Sequence, residues 1–198
     1  MFLYLDMVID SYSRKIVAWQ VHECERAERA AELITEACFV EQIPRDQITL
    51  HSDNGSPMKG ATMLATLRKL GVIPSLSRPS VSNDHAFSEA LFRTLNYRPE
   101  YPEHRFADSC QARQWVAGFV DWYNDEHRPS AIRLVTPTDR HNGQESEILQ
   151  QRHAVYQAAQ QRHPERWSGQ TRNWSRVDDV VLNKTNQNDM AIKKRLNK

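Results

Sequence analysis

The stretch that decides the fold is His51-Ser-Asp-Asn-Gly55, which follows a short apolar segment at residues 47–51 that predicts a strand. A carboxylate placed directly after a strand, beside Asn-Gly, lies where α/β sheets gather their functional groups. The same residues also suit an ordinary tight turn. Glu89 follows Asp53 with 35 residues between them, inside a segment at residues 86–96 whose apolar spacing predicts a helix. Each acid alone has an ordinary explanation, and only the pair at this spacing suggests a shared site.

Regular patterns on both sides of this pair predict alternating strands and helices. Runs rich in β-branched and aromatic residues predict strands at residues 2–9, 15–21, 47–51 and 72–76. Apolar residues at helical spacing predict helices at residues 27–41, 60–70, 86–96, 109–124 and 145–161. This order is typical of a layered α/β domain. We assign residues 1–140 to that domain and residues 141–198 to a helical and basic C-terminal extension.

Composition limits the classes of function. The chain has 198 residues, with 26 Lys and Arg against 25 Asp and Glu, which is typical of a folded protein. No apolar run approaches the ~18 residues of a membrane span, so we expect no membrane partner. Three widely spaced cysteines, Cys24, Cys38 and Cys110, indicate a reducing cytoplasm. Residues 140–198 carry 11 Lys and Arg against 6 Asp and Glu, an excess that suits nucleic acid and a solvated surface equally.

The spacing of Asp53 and Glu89 resembles the last two acids of the Asp, Asp, Glu triad in retroviral-type integrases and bacterial insertion-sequence transposases. Further stretches resemble the insertion-sequence branch, and they occur in the same order. They are Leu5-Asp-Met-Val-Ile-Asp-Ser-Tyr-Ser-Arg-Lys-Ile-Val-Ala-Trp19, Ser77-Arg-Pro-Ser-Val-Ser-Asn-Asp84, Trp122-Tyr-Asn124, Arg128-Pro129 and Thr136-Pro137. The resemblance extends over about residues 3–140, and this combination of motifs is highly specific.

The resemblance implies an RNase H-like fold, a mixed sheet with helices on both faces. It also implies metal-dependent phosphoryl transfer at DNA ends, with Asp53 and Glu89 as catalytic metal ligands. Carboxylates suit that chemistry because Mg²⁺ and Mn²⁺ prefer hard oxygen ligands, and two such ions can activate the attacking oxygen and stabilise the leaving one. Asn54 would shape the turn or contact DNA, and Asn83 would contact DNA or the loop itself.

By the same resemblance, the first Asp of the triad belongs on a central strand that precedes the segment beginning here near Phe2. No residue of this sequence matches that strand, so we expect a truncated core with an incomplete two-metal site and impaired catalysis. Asp10 would serve the turn of the hairpin formed by residues 2–21. That hairpin would pair directly with the 47–51 strand, leave a gap, or receive a strand from another chain. The alternatives to an enzyme are a non-catalytic DNA-binding or inhibitory partner of a full-length transposase, and a decayed remnant.

Basic residues supply the candidates for contact with DNA. Lys59 lies near the Asp53 turn, and four arginines lie in the extension: Arg162, Arg166, Arg172 and Arg176. Together with Trp167 and Trp174 they suit phosphate contact and base stacking. A solvated tail that packs through its two Trp residues is the competing interpretation. The expected partners are DNA and either a second copy or a full-length transposase, in the cytoplasm at the nucleoid.

Overall fold

The computed structural model describes residues 2–24, 26–78 and 82–182, without the side chains of Ser82 and Asn83. Its strands are β1 Tyr4–Ile9, β2 Ile16–His22, β3 Thr49–Ser52 and β4 Ile73–Leu76. Its α-helices are α1 Ala27–Val40, α2 Ser56–Lys59, α3 Ala61–Leu70, α4 Ala86–Asn96, α5 Ser109–Asp125, α6 Pro137–His141 and α7 Glu145–Arg162. Single 3-10 turns lie at Ser82–His85, Ser130–Ile132 and Pro164–Arg166. This alternation of strands and helices confirms the expected α/β class.

The strands of the described chain form two separate two-stranded sheets. β1 and β2 are antiparallel, with Met7 opposite Trp19 and a register shift between Val8 and Ile9. β3 and β4 are parallel along their whole length. Of the arrangements expected for the hairpin, direct pairing with β3 is not found within residues 2–24, 26–78 and 82–182. β1 and β3 therefore each keep one edge without a strand partner there.

Helices cover both faces of β1, which makes this strand part of a middle layer. Met7 and its alternate neighbours face a cluster formed with α4 and α5, in which Leu91 and Phe119 are buried. Val8, on the opposite face, packs with α1 and α3, and so does Leu50 of β3. Because successive strand residues point to opposite faces, the continuous apolar run of β1 serves two cores. This layering agrees with the fold implied by the sequence.

Local chemistry explains where the helices begin and end. The Asp108 carboxylate accepts a hydrogen bond from the Gln111 backbone N–H at 2.8 Å and caps α5. Gly71 ends α3 with φ at +70°, the left-handed region that favours glycine. The 60–70 helix expected from the sequence is α3, which begins at Ala61, and the extended Gly60 (ψ at 149°) separates it from the short preceding helix α2.

Residues beyond α6 pack against the rest of the fold through a further apolar cluster. Trp174 is 6% exposed and packs with Leu149 of α7. The guanidinium carbons of Arg152 and Arg172 lie 5.6 and 5.3 Å from the centre of the Trp174 ring. The domain boundary placed after residue 140 stays a prediction. None of the described helices is long and apolar enough to cross a membrane.

Candidate active site

Asp53 lies in the turn that directly follows β3. The Gly55 backbone N–H donates a hydrogen bond to Asp53 Oδ1 at 2.9 Å, which closes a local turn around the carboxylate. The Asp53 side chain is exposed, so its other oxygen can reach a ligand from solvent. A Cβ on residue 55 would stand 2.9 Å from Asp53 Oδ1. Glycine at this position therefore leaves the carboxylate where the turn holds it.

The ends of β3 and β4 are tied together beside this turn. Ser77 is 4% exposed, and it donates to the Ser52 carbonyl oxygen from its backbone N–H at 3.0 Å and its hydroxyl at 2.9 Å. Asn54 Nδ2 donates to the Ser77 carbonyl oxygen at 2.6 Å. The Asn54 amide thus binds the backbone of the neighbouring strand end, in keeping with a role in shaping the turn. Contact between Asn54 and DNA stays a prediction.

A second set of contacts runs from this point to the start of α4. Arg78 forms a two-point ion pair with Asp84, with Nη2 3.0 Å from Oδ1 and Nε 3.2 Å from Oδ2. The Arg78 backbone N–H also donates to Oδ2 at 2.8 Å. Asp84 is 6% exposed, and it lies five residues before Glu89 in the sequence. These contacts anchor the start of α4 beside the turn after β3.

Glu89 lies in the first turn of α4, on the exposed side of the helix. Leu91 and Leu95 are buried on the opposite side and fix the rotation of the helix on the core. The helix dipole favours a negative charge in this first turn. No hydrogen bond or ion pair joins Glu89 to Asp53 in the described chain. Both acids are therefore exposed carboxylates, carried by a turn and a helix start that are connected through polar contacts to the buried residues Ser77 and Asp84.

This donor set suits a hard divalent cation, because carboxylate oxygens are the ligands that Mg²⁺ prefers. Mg²⁺ usually keeps several waters, so one or two carboxylates are an ordinary protein contribution. Within the described residues, no group of three or more His, Cys, Asp or Glu side chains could hold a metal ion. Asp53 and Glu89 fit such an ion by chemistry and exposure, and their role as ligands stays a prediction.

Asp10, the acid nearest the hairpin turn, is engaged in that turn. Its carboxylate accepts hydrogen bonds from the backbone N–H groups of Tyr12 at 3.1 Å and Ser13 at 3.0 Å. Burial raises the pKa of Asp10, but these bonds, the Ser13 hydroxyl and His141 outweigh burial and lower the pKa below its usual range. The carboxylate therefore serves the turn, as expected from the sequence.

Most of the basic candidates are exposed. Lys59 lies at the end of α2, while Arg162 and Arg166 lie at and just beyond the end of α7. Arg172 is exposed beside the Trp174 ring. The side chain of Asn83 lies outside the described residues. The exposed cations remain predicted contacts for DNA phosphates.

Arg176 differs from the other candidates because acidic side chains already bind it. Its Nε lies 2.9 Å from Glu145 Oε1 and 2.8 Å from Asp178 Oδ1. Trp174, two residues before Arg176, is buried. Trp167 packs edge-on against Tyr156, with 6.0 Å between the ring centres. These contacts favour the packed-tail interpretation for this part of the extension.

Sequence reasoning missed a buried ion pair next to this contact. Arg140 Nη1 lies 3.0 Å from Glu145 Oε2, and their side chains are 0% and 1% exposed. The Tyr12 hydroxyl donates to Glu145 Oε1 at 2.7 Å. Tyr12 and Glu145 are 133 residues apart, and no local pattern links two such positions. The hydrogen bond between Tyr12 and Glu145 was therefore out of reach of any argument from sequence spacing.

Comparisons with known proteins give matches over most of the chain. Residues 1–82 match a family model described as an integrase core domain, and residues 70–137 match a second model with the same description. The chain is 29% identical over 138 residues to the transposase for insertion sequence element IS904 of Lactococcus lactis subsp. lactis, covering 69% of this chain and 54% of that protein. It is 29% identical over 141 residues to the transposase InsF for insertion sequence IS3A of Escherichia coli K12, covering 71% of this chain and 48% of that one.

The chain thus spans about half the length of these curated relatives. Among solved structures, it is similar to the catalytic core domain of BIV integrase, with a TM-score of 0.53 and 19% identity. That similarity covers 73% of this chain and 88% of the integrase domain, and it shows the fold. Sequence motifs, fold and the two matching integrase-core models agree over residues 1–137. The chain belongs to the integrase-core family of insertion-sequence transposases and integrases.

Proposed function

We propose that this chain carries the catalytic core of an insertion-sequence transposase, which transfers phosphoryl groups at DNA ends with the help of divalent metal ions. The observation that supports this most directly is the polar connection between the Asp53 turn and α4. Asn54, Ser77 and Arg78 link the strand end that carries one acid to the helix start that carries Glu89. Such a connection would hold the two carboxylates in a fixed relative position, which is required if both act on one substrate.

In this proposal Asp53 and Glu89 hold Mg²⁺ or Mn²⁺ through carboxylate oxygens. A bound ion would supply Lewis-acid stabilisation to the oxygens of a phosphodiester. The chain itself supplies position: the Gly55 N–H fixes one oxygen of Asp53 at 2.9 Å and leaves the other for the ion. Exposure of both acids leaves room for a DNA strand. A DNA substrate would place the protein at the nucleoid.

The first experiment measures metal binding by the 198-residue chain. Mn²⁺ titration followed by electron paramagnetic resonance should give saturable binding, and Asp53→Asn and Glu89→Gln should each weaken it at least about tenfold, since even outer-shell partners are worth that much. Asp121→Asn and Glu36→Gln are matched controls, because both acids are exposed on other helices. Binding that survives both site substitutions unchanged would refute the assignment.

A second measurement tests the reaction. Labelled duplexes that carry candidate transposon ends are incubated with the chain and Mg²⁺ or Mn²⁺, and nicked and joined products are separated on gels. Cleavage or strand transfer that disappears in Asp53→Asn would establish catalysis. It would also overturn the expectation that catalysis is impaired in this chain.

A non-catalytic role is the second candidate, because the described residues offer no group of three metal-binding side chains. The chain would then bind DNA or join a full-length transposase and inhibit it. Metal binding without cleavage, together with reduced turnover of a full-length relative on mixing, would favour this role. Failure of the mixture to lower turnover would exclude inhibition.

DNA contact by the basic residues has its own test. Removal of one phosphate contact should reduce the slope of log affinity against log salt by about 0.9. We expect this for Lys59, Arg162, Arg166 and Arg172, each replaced by Gln. Arg176 should change the slope less, since Glu145 and Asp178 already bind its guanidinium. A flat salt response in the unsubstituted chain would refute DNA contact by all of them.

A further inference from the structure

Arg14 in the hairpin turn contacts the helix that carries Glu89. Its guanidinium carbon lies 3.2 Å from the centre of the Phe87 ring. Phe87 is in the first turn of α4, two residues before Glu89. A cation over an aromatic face is attracted by the ring, and the attraction grows when the cation is removed from water. This contact therefore acts on the part of α4 that sets the position of Glu89.

The backbone of Arg14 is held in an unfavourable conformation. Its φ is +69°, in the left-handed region that a residue with a Cβ seldom adopts. The Arg14 N–H donates to the Asp10 carbonyl oxygen at 2.8 Å, and the Asp10 N–H donates to the Lys15 carbonyl oxygen at 2.9 Å. These bonds close the turn and impose the direction in which the Arg14 side chain leaves it.

The Arg14 side chain is half-buried, and part of its guanidinium lacks a hydrogen-bond partner in the described chain. Its Nε is buried without a hydrogen-bond partner in the described chain. No carboxylate there makes an ion pair with its guanidinium. Burial lowers the pKa of Arg14, as expected for a cation removed from water. A half-buried cation without a bonded acid costs stability, and the Phe87 ring lies against this guanidinium.

The other side of the same turn is bound by the C-terminal extension. The Tyr12 hydroxyl donates to Glu145 Oε1 at 2.7 Å, and Arg176 Nε binds the same oxygen at 2.9 Å. Arg140 lies over the Tyr12 ring, with its guanidinium carbon 4.1 Å from the ring centre. Arg140 Nη2 also donates to the Val177 carbonyl oxygen at 2.6 Å. The turn therefore lies between α7 and the 176–177 segment on one side and α4 on the other.

We infer that the turn at residues 10–15 is a strut through which the C-terminal extension sets the position of α4, with Arg14 as a positioning residue for Glu89. The inference rests on the proposed function, because it gives the position of Glu89 a consequence for metal binding. The positioning role of Arg14 is separate from the metal-binding role proposed for Asp53 and Glu89. In this inference the extension stabilises the position of α4 through the turn at residues 10–15, in addition to any contact that its exposed arginines make with DNA.

Hydrogen–deuterium exchange without metal tests the strut independently of the proposed function. Arg14→Gly removes the contact with Phe87 and also relieves the positive φ, so the variant should fold. Amides of residues 87–92 should exchange about fivefold to thirtyfold faster, the range expected for losing a desolvated cation–π contact. Tyr12→Phe, which removes only the bond to Glu145, should shift the same amides in the same direction. Arg93→Gln, on exposed α4 surface, is the control.

Mn²⁺ titration then tests the consequence for Glu89. Arg14→Gly should weaken binding about fivefold or more at an unchanged melting temperature, and Arg14→Lys, which keeps a cation over the ring, should restore most of the affinity. A residue that only stabilised the fold would change the melting temperature first. Unchanged exchange at residues 87–92 in Arg14→Gly would overturn the strut, whatever the metal does. Faster exchange with unchanged Mn²⁺ affinity would overturn the positioning role, and absence of Mn²⁺ binding in the unsubstituted chain would instead refute the proposed function.

Discussion

Replacing Glu145 by Gln should destabilise this protein strongly, because it breaks a buried ion pair. The Arg140 and Glu145 side chains are 0% and 1% exposed and meet at 3.0 Å. The contact lacks hydrogen-bond alignment, since Arg140 Nη1 and Glu145 Oε2 have no such partner in the described chain. The pair is therefore mainly Coulombic. Gln can still accept from Tyr12, but it leaves the Arg140 charge buried without a counter-charge.

The magnitude follows from that burial. Removing one partner of a buried ion pair costs roughly 3–5 kcal/mol, because the remaining charge keeps its desolvation penalty. The retained bonds from Tyr12 and from Arg140 to the Val177 carbonyl oxygen place the expected loss near the lower end, about 3 kcal/mol. For a protein of 150–250 residues, that loss corresponds to a fall of about 6–12 °C in melting temperature.

Urea unfolding followed by tryptophan fluorescence measures the loss, and Glu147→Gln in the same helical turn is the control. Glu147 is exposed and accepts one long hydrogen bond from Gln151 at 3.3 Å, so its change should stay within about 0.5 kcal/mol. The double variant Arg140→Met/Glu145→Leu should recover much of the stability, because it removes both charges. Equal unfolding free energies for Glu145→Gln and Glu147→Gln would refute the reasoning.

Three further predictions concern the site, the core and the turn. Gly55→Ala should weaken Mn²⁺ binding in calorimetry, because its Cβ would stand 2.9 Å from Asp53 Oδ1, whereas Gly169→Ala, with nothing within 4 Å, should not. Phe119→Ala removes a ring that is 2% exposed and should cost about 3–5 kcal/mol in urea unfolding; a loss under about 1 kcal/mol would contradict its place in the core. Asp10 has a lowered pKa in the fold, so its stabilisation is present above its unfolded pKa of about 4 and is lost as the pH falls further. The stability difference between the unsubstituted chain and Asp10→Asn should therefore shrink below pH ~4 in acid titrations, and a constant difference would contradict the lowered pKa.

Local patterns were sufficient to predict the elements that carry the candidate acids. The 86–96 helix was predicted with the bounds that the structure shows. Of the residues expected to hold it on the core, Leu91 is buried, whereas Phe92 is 38% exposed and Leu95 is buried in its place. The turn at Asp53 was predicted from the Asn-Gly that follows it. Both signals lie within a few residues of the feature that they specify.

Contacts between residues that are far apart in the sequence could not be predicted from local patterns. Ser77 reaches back 25 residues to the Ser52 carbonyl oxygen, and only the parallel pairing of β3 with β4 brings them together. The contact between Arg14 and Phe87 depends on how α4 lies on the hairpin. The division of the strands into two sheets likewise depends on pairing between segments that the sequence does not order.

The unpaired edge of β1 has a consequence for how this protein behaves in solution. An open edge offers its N–H and C=O groups to any extended segment, including one from another copy. Folds usually protect such edges with charge, and β1 carries only Asp6 among its six residues, while Phe2 and Tyr4 at its start are 79% and 42% exposed. Self-association should therefore rise with protein concentration, and a lysine introduced at Tyr4 should oppose it in light scattering.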